Sequence, residues 1–204
     1  MGRALRPIVE KGDTWAYRIV RTLPNQRKVT EVETHRVTLV DEAADSIYVS
    51  VDRRPEGVAE SPEPDLQTIW TLEWNSKLFS RAGFGKGTIL RPHSETFRFP
   101  IKPGDRYEYS YENLSATQDG PGYEWIVRRS ASVLGWETVS VPAGSFMAIV
   151  IEATGSATLK RTGLQMPTVM KQWYSPEVRR WVKALLTWPE LLEAELLSFK
   201  LHEN

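Results

Sequence analysis

The sequence predicts an all-β protein with at most short helices, built as a strongly curved antiparallel sheet that forms an incomplete barrel. Three observations carry this expectation. Runs with apolar residues at every second position recur along the 204 residues, as in Trp15-Ala16-Tyr17-Arg18-Ile19, and a period of two marks a strand with one buried face. Clusters of Pro, Gly and Asp punctuate the runs, as in Lys11-Gly12-Asp13-Thr14 and Pro142-Ala143-Gly144. Eight Trp and seven Tyr cluster on these segments, which aromatic side chains favour in pleated, half-buried surfaces.

Length and composition narrow the organisation and the function classes. A single domain over 1–204 is expected, because β sandwiches and barrels reach ~200–250 residues as one unit. Lys+Arg and Asp+Glu balance at 26 each, so the chain lacks the general positive field that nucleic-acid binding needs. With no cysteine, disulfides, thiolate nucleophiles and Cys-based metal sites are excluded together. No apolar run reaches the ~18–20 residues of a membrane-spanning helix. Met1 to Pro7 has no apolar signal-peptide core. The expected location is periplasmic or otherwise extracytoplasmic if a leader has been removed, and the same features suit a cytoplasmic chain.

Taken in order, Trp15 to Arg21 is a strand with Trp15, Tyr17 and Ile19 on one face. Val29 to Val40 follows, with Val29, Glu31, Glu33, His35, Val37 and Leu39 on one face, and Ile47 to Val51 returns. Pro, Glu, Gly and Ser over about 53–65 read as a mobile surface loop. Gln67 to Trp74 alternates as a strand, against a helix from Pro64. Gly83 to Gly87 is a glycine-rich loop, and Ile89 to Phe99 an extended segment. Lys102-Pro103-Gly104-Asp105-Arg106-Tyr107-Glu108-Tyr109 repeats the Gly-Asp-x-aromatic-x-Tyr pattern of Gly12 to Tyr17. The repeat suggests two similar meanders, 11–100 and 101–204, sharing one core. Asp119-Gly120-Pro121-Gly122 is a loop. Trp136 to Val141 and Phe146 to Glu152 form a hairpin about Pro142-Ala143-Gly144, and the aromatic segment after Gly163 reads as one further strand. The tail reads as a closing strand from about Ala194, against a short helix from Pro189.

Familiar catalytic patterns are mostly missing. His35, His93 and His202 are widely spaced, which suits lone surface histidines rather than a zinc site. Neither a metal nor a cofactor is expected. Ser145 lacks the second glycine of a nucleophile elbow. Gly85-Lys86-Gly87-Thr88 lacks the first glycine of a phosphate loop and any βαβ context. Glu31 and Glu33 stand ~7 Å apart on one strand face, within the range of glycosidase carboxylate pairs, but Lys28 and Arg36 are at hand to pair them on a solvated face. The aromatics carry the remaining signal. Trp70, Trp74, Tyr107, Tyr109 and Trp173, with Met147 as adaptable lining, are candidates for a concave face that binds a hydrophobic or lipid-like molecule. Core packing is their alternative role.

Phe99-Pro100-Ile101-Lys102-Pro103-Gly104-Asp105-Arg106-Tyr107, then Val141-Pro142-Ala143-Gly144-Ser145-Phe146, then Trp173-Tyr174-Ser175-Pro176 through Val182-Lys183, resemble recurring phrases of a group of uncharacterised bacterial envelope proteins. The resemblance covers mainly 97–183 and departs at Tyr107, where Trp is usual. It implies a fold similar to that of periplasmic lipoprotein carriers, an incomplete barrel around a concave apolar face, and it implies no catalytic residues. The leading expectation is therefore a non-catalytic envelope protein that binds a hydrophobic ligand or acts as a scaffold. Two alternatives stand beside it. One is a hydrolase using Glu31, Glu33 or Glu73 near His93. The other is an interaction module that takes a protein partner or a second copy through an edge strand.

Overall fold

In the computed structural model, which describes residues 2–202 apart from 24, 61–63, 65, 82–86, 117–121 and 188–190, twelve antiparallel strands form a closed barrel. The strands are β1 (Thr14–Thr22), β2 (Lys28–Asp41), β3 (Ser46–Pro55), β4 (Leu66–Trp70), β5 (Ser76–Arg81), β6 (Gly87–Arg91), β7 (Arg106–Ala116), β8 (Glu124–Val141), β9 (Gly144–Leu159), β10 (Gln165–Ser175), β11 (Arg180–Leu186) and β12 (Leu191–Lys200). Each pairs with its sequence neighbours, and β12 returns to β1 in register from Thr14↔Lys200 to Thr22↔Leu191.

That last pairing corrects the expectation of an incomplete barrel. The tail was legible as a closing strand, but periodicity does not show which strand receives it. Closure also removes the basis for edge-strand docking, because every strand already has two hydrogen-bonded neighbours. Other boundaries shift as well. The Gln67–Trp74 strand stops at Trp70, and 71–75 is a turn, with Trp74 N–H donating to Thr71 O at 3.0 Å. The aromatic segment read as one strand is a hairpin, broken between β10 and β11 at Pro176, where Arg179 N–H donates to Pro176 O at 3.2 Å. Strand β3 runs on to Pro55, into the stretch read as loop, and β6 stops at Arg91, short of Phe99. Residues 83–86 of the glycine-rich loop, Asp119 to Pro121, and Pro189 lie outside the described residues.

The up-and-down path places the termini and the β2–β3, β4–β5, β6–β7, β8–β9 and β10–β11 connections at one end, here called the base. The other six connections lie at the opposite end, the rim. The two Gly-Asp turns stand at the base and make the same bonds. Gly12 N–H donates to Val37 O (2.8 Å) and Val37 N–H to Asp13 O (2.9 Å). Gly104 N–H donates to Val133 O (2.8 Å) and Val133 N–H to Asp105 O (2.9 Å). Each Asp side chain also accepts from the backbone three residues earlier, Asp13 from Glu10 and Asp105 from Lys102. Segment 92–105, between β6 and β7, packs across the base. Asn75 holds it by accepting from Phe97 N–H (2.8 Å) and donating to Phe97 O (2.7 Å), and Ala4 bridges Ile101.

The core is the barrel interior. Trp15, Tyr17, Ile47, Phe97, Ile101, Ile149, Ile151 and Leu196 are fully buried. On β9, Gly155 faces Arg129 of β8, and the backbones approach so closely that a Cβ at 155 would sit 1.9 Å from Arg128 O. Relief would require the β8–β9 ladder to move, because the obstacle is backbone and not a flexible side chain. Gly155→Ala is therefore expected to destabilise the protein by about 3 kcal/mol, at the upper end of overpacking costs. Urea denaturation measures this, and a variant of wild-type stability would show that the ladder yields freely.

Candidate functional site

The interior of the barrel carries charge as well as apolar surface. Alternation along β1, β2 and β3 turns Trp15, Tyr17, Ile19 and Arg21 inward beside Glu31, Glu33 and His35, and brings Arg53 across from Glu33. From the opposite side of the seam, Arg180 at the start of β11 enters the same space with no solvent exposure. Three aromatic tips fix the segment that bears it. Trp15 Nε1 donates to Val178 O, Trp74 Nε1 to Arg179 O and Tyr17 Oη to Trp181 O, each at 2.9 Å.

The Arg180 guanidinium lies 4.4 Å from the Trp74 ring centre, 5.0 Å from Trp15, 5.4 Å from Trp70 and 5.6 Å from Tyr17 and Trp181. A desolvated cation gains from ring quadrupoles that water would otherwise replace. One polar contact is direct: Arg180 Nη2 donates to His35 Nδ1 at 3.1 Å. That assigns the ring proton to Nε2, which donates to Glu33 Oε2 at 3.1 Å. Glu33 Oε1 accepts from Arg21 (3.0 Å) and Arg53 (2.8 Å), and Arg21 also donates to Glu31 (3.1 Å). The chain of contacts thus rises along the wall from a dry cation near the base to half-buried arginines nearer the rim.

Burial, reinforced by the positive charge of Arg180, pulls the pKa of His35 down to about 4. Burial alone would raise Glu33. The His35 hydrogen bond and charge and the Arg53 and Arg21 guanidiniums together outweigh it, and the carboxyl stays well below its usual range. His35 Nδ1 accepts from Arg180, and both Glu33 oxygens already accept hydrogen bonds from His35, Arg21 and Arg53.

Beside this network is a cavity of about 250 Å³, lined by the aromatic residues Trp70, Trp74, Phe97 and Tyr111 together with Arg129, Met170, Gln172 and Leu186. Trp70 and Trp74 belong to both features, so the rings that hold Arg180 also wall the cavity. A larger hollow of about 540 Å³ over β7, β8 and β9 is bordered by Glu108, Ser110, Arg128 and Ser156 and has no comparable aromatic wall.

The six residues singled out in the sequence are divided by the fold. Trp70 and Trp74 line the cavity. Tyr107 and Tyr109 lie in phase with Tyr111 but nearer the base, where Tyr107 Oη donates to Thr96 O and Tyr109 stacks on Tyr111 at 6.4 Å. Trp173 follows inward-facing Gln172 and is on the outer face, where its Nε1 donates to Glu137 at 2.5 Å and Lys171 lies over its ring. Met147, between buried Phe146 and Ala148, is exposed.

Glu31 and Glu33 meet through Arg21, not through Lys28 or Arg36, and His35 is buried where a surface residue was expected. Glu73 is in the β4–β5 turn at the base, away from both carboxylates, and His93 forms no hydrogen bond or ion pair with any of the three. The residues missed were Arg180, Arg129 and the Glu33–His35 pair. Their signal was a polar side chain held at an inward position of an apolar run, as at Val178-Arg179-Arg180-Trp181-Val182.

No protein-family model and no curated protein matches the sequence. Solved structures do match the fold. A candidate exported protein with a YmcC-like fold from Bacteroides fragilis aligns with a TM-score of 0.58 at 13% identity, over 97% of this chain and 99% of that one. The fold is YmcC-like. A candidate lipoprotein from Parabacteroides distasonis aligns at 0.55 and 10% identity over 97% and 99% of the two chains. The hypothetical lipoprotein YmcC from Escherichia coli aligns at 0.53 and 10% over 93% and 86%.

Two outcomes test the buried network. Both His35 and Glu33 have depressed pKa values, so below neutrality the unfolded chain binds more protons than the folded one and stability falls with pH. The stabilisation is complete above pH 6.5 and is lost through protonation of His35 between 6.5 and about 4, then of Glu33 below that. The His35 contribution is about 3 kcal/mol at ~1.4 kcal/mol per pH unit. About 2 kcal/mol of it is lost between pH 7.5 and 5, which urea titrations at those two values measure, and His35→Gln should flatten the difference; an equally steep slope in that variant would place the dependence elsewhere. Arg180→Lys keeps the charge but loses the planar fork and its ring contacts, and is expected to lower stability by about 2–4 kcal/mol. A wild-type denaturation midpoint would mean that the ring enclosure contributes nothing.

Proposed function

We propose that this barrel is a non-catalytic protein of the bacterial envelope that binds a hydrophobic or lipid-like small molecule in its interior, with Trp70 and Trp74 as contact residues. The observation that carries the reading is the cavity of about 250 Å³ walled by Trp70, Trp74, Phe97 and Tyr111. Concave sites lined by aromatic and aliphatic side chains with a few placed polar groups are the usual form of small-molecule sites. The envelope location draws support from the described neighbours, one a candidate exported protein and two called lipoproteins.

The volume falls below the ~300–1,000 Å³ of sites for drug-sized ligands, so the molecule held is small or enters only in part. Native mass spectrometry of the purified protein is expected to show a bound species or, for the emptied protein, uptake of the apolar dye N-phenyl-1-naphthylamine with quenching of Trp emission. Met170→Trp, which fills the cavity, should abolish both signals while leaving the circular dichroism spectrum unchanged. A ligand-free mass together with no dye uptake by wild type would defeat the binding reading and leave the scaffold role.

A further inference from the structure

We infer that the interior ligand is an anionic amphiphile, a medium-length alkyl chain ending in a carboxylate or phosphate that Arg129 receives. The inference rests on the interior-binding reading above and adds the chemistry of the head group. Arg129 is on β8, faces inward, lines the cavity and is only 5% exposed. Its Nε donates to Thr168 Oγ1 at 3.1 Å and its Nη1 approaches Met170 Sδ at 3.6 Å. A guanidinium has five N–H donors, so most of them have no protein acceptor, and among the described residues no carboxylate pairs with this cation.

The contrast with the opposite wall is informative. There Arg21 and Arg53 have Glu31 and Glu33, and Arg180, although its Nε and Nη1 are also without a hydrogen-bond partner, is enclosed by five rings and bonded to His35. Arg129 is a buried cation whose hydrogen-bond partners among the described residues are a hydroxyl and a thioether, a costly state that an anion would relieve.

Two further cavity-lining atoms, Ser76 Oγ and Gln172 Oε1, are buried without a hydrogen-bond partner. Buried polar groups are rarely left so, and both border the same space. A carboxylate or phosphate fits the Arg129 fork, since either accepts two parallel N–H bonds. A singly protonated phosphate stays anionic and also has a hydroxyl to donate to Gln172 Oε1. The aromatic side sets the tail: at about 30 Å³ per water-sized group, 250 Å³ holds roughly eight such groups, about the carbon count of octanoate with its carboxyl included, the tail lying against Trp70, Trp74 and Phe97.

The test compares octanoate, octyl phosphate and octanol by calorimetric titration and by displacement of N-phenyl-1-naphthylamine. Wild type should bind one or both anions at least about tenfold more tightly than the alcohol, the usual weight of a charge-assisted bond. The better of the two anions identifies the head group. Arg129→Gln should bring anion and alcohol to near parity, with the loss falling mainly on the anions. If that variant fails to fold, Arg129→Lys serves, with the preference for anions retained but reduced severalfold as the fork is lost. Equal binding of octanol and the anions by wild type, or an undiminished preference in the variants, overturns the inference and leaves the interior-binding reading intact. Failure of all three compounds and the dye removes both.

Discussion

The desolvated guanidinium of Arg180 is the constraint on which the rest of the interior depends. A lone cation with no exposure is not tolerated in a dry core, and here several elements must be in place at once to hold it. Trp15 and Tyr17 come from β1, His35 from β2, Trp70 and Trp74 from β4 and the turn after it, and Trp181 from β11 itself. Strand register follows from this. A one-residue slip of β2 would turn Glu33 and His35 outward, leaving Arg180, Arg21 and Arg53 facing one another without a carboxylate. The network also specifies pairing among β1, β2 and β3 more sharply than apolar alternation could, because a two-residue slip preserves the alternation but parts the charged partners.

Strand number explains why the interior contains both this network and a cavity. Barrels of about eight strands are just wide enough for side chains to fill, and width grows with strand number. Twelve strands enclose more space, and this chain fills it with its largest side chains and with backbone drawn across the base, the Ala4 and 92–105 segments. What remains unfilled lies between the ring cluster around Arg180 and the Arg129 wall. The cavity is a consequence of barrel geometry, and its polarity comes from the residues that face it.

Much of the strand content was legible because alternation and turn residues are local. The runs at Trp15, Val29, Ile47, Tyr107 and Trp136 all became strands. The two Gly-Asp turns, similar in sequence, also make matching bonds to Val37 and Val133. Closure was not legible, since the pairing of β12 with β1 depends on curvature summed over the whole sheet. The site was half legible. Trp70 and Trp74 could be named from clustering, but Trp173 and Met147 face outward, and no local rule separates an inward aromatic from an outward one when both faces are mixed. The buried charges were read as solvated, because on average carboxylates and arginines are exposed. The presence of Glu31, Glu33 and His35 on one face with Val37 was visible, while the arginines that complete them come from β1, β3 and β11.

The seam between β1 and β12 has a consequence for how the chain reaches this state. Thr14 meets Lys200, and the tips of Trp15 and Tyr17 bond to carbonyls more than 160 residues further along. Hairpins such as β8–β9 form from neighbours in sequence, whereas this seam closes a loop nearly as long as the protein, and such contacts come late and slowly. Until β12 exists, β1 and β11 each present an unpaired edge, and the two aromatics and the arginine they enclose have no common interior. β12 is thus the strand that turns a curved ribbon of hairpins into a barrel. Assembly on a growing chain must wait for β12, and the open ribbon depends on remaining unassociated until then.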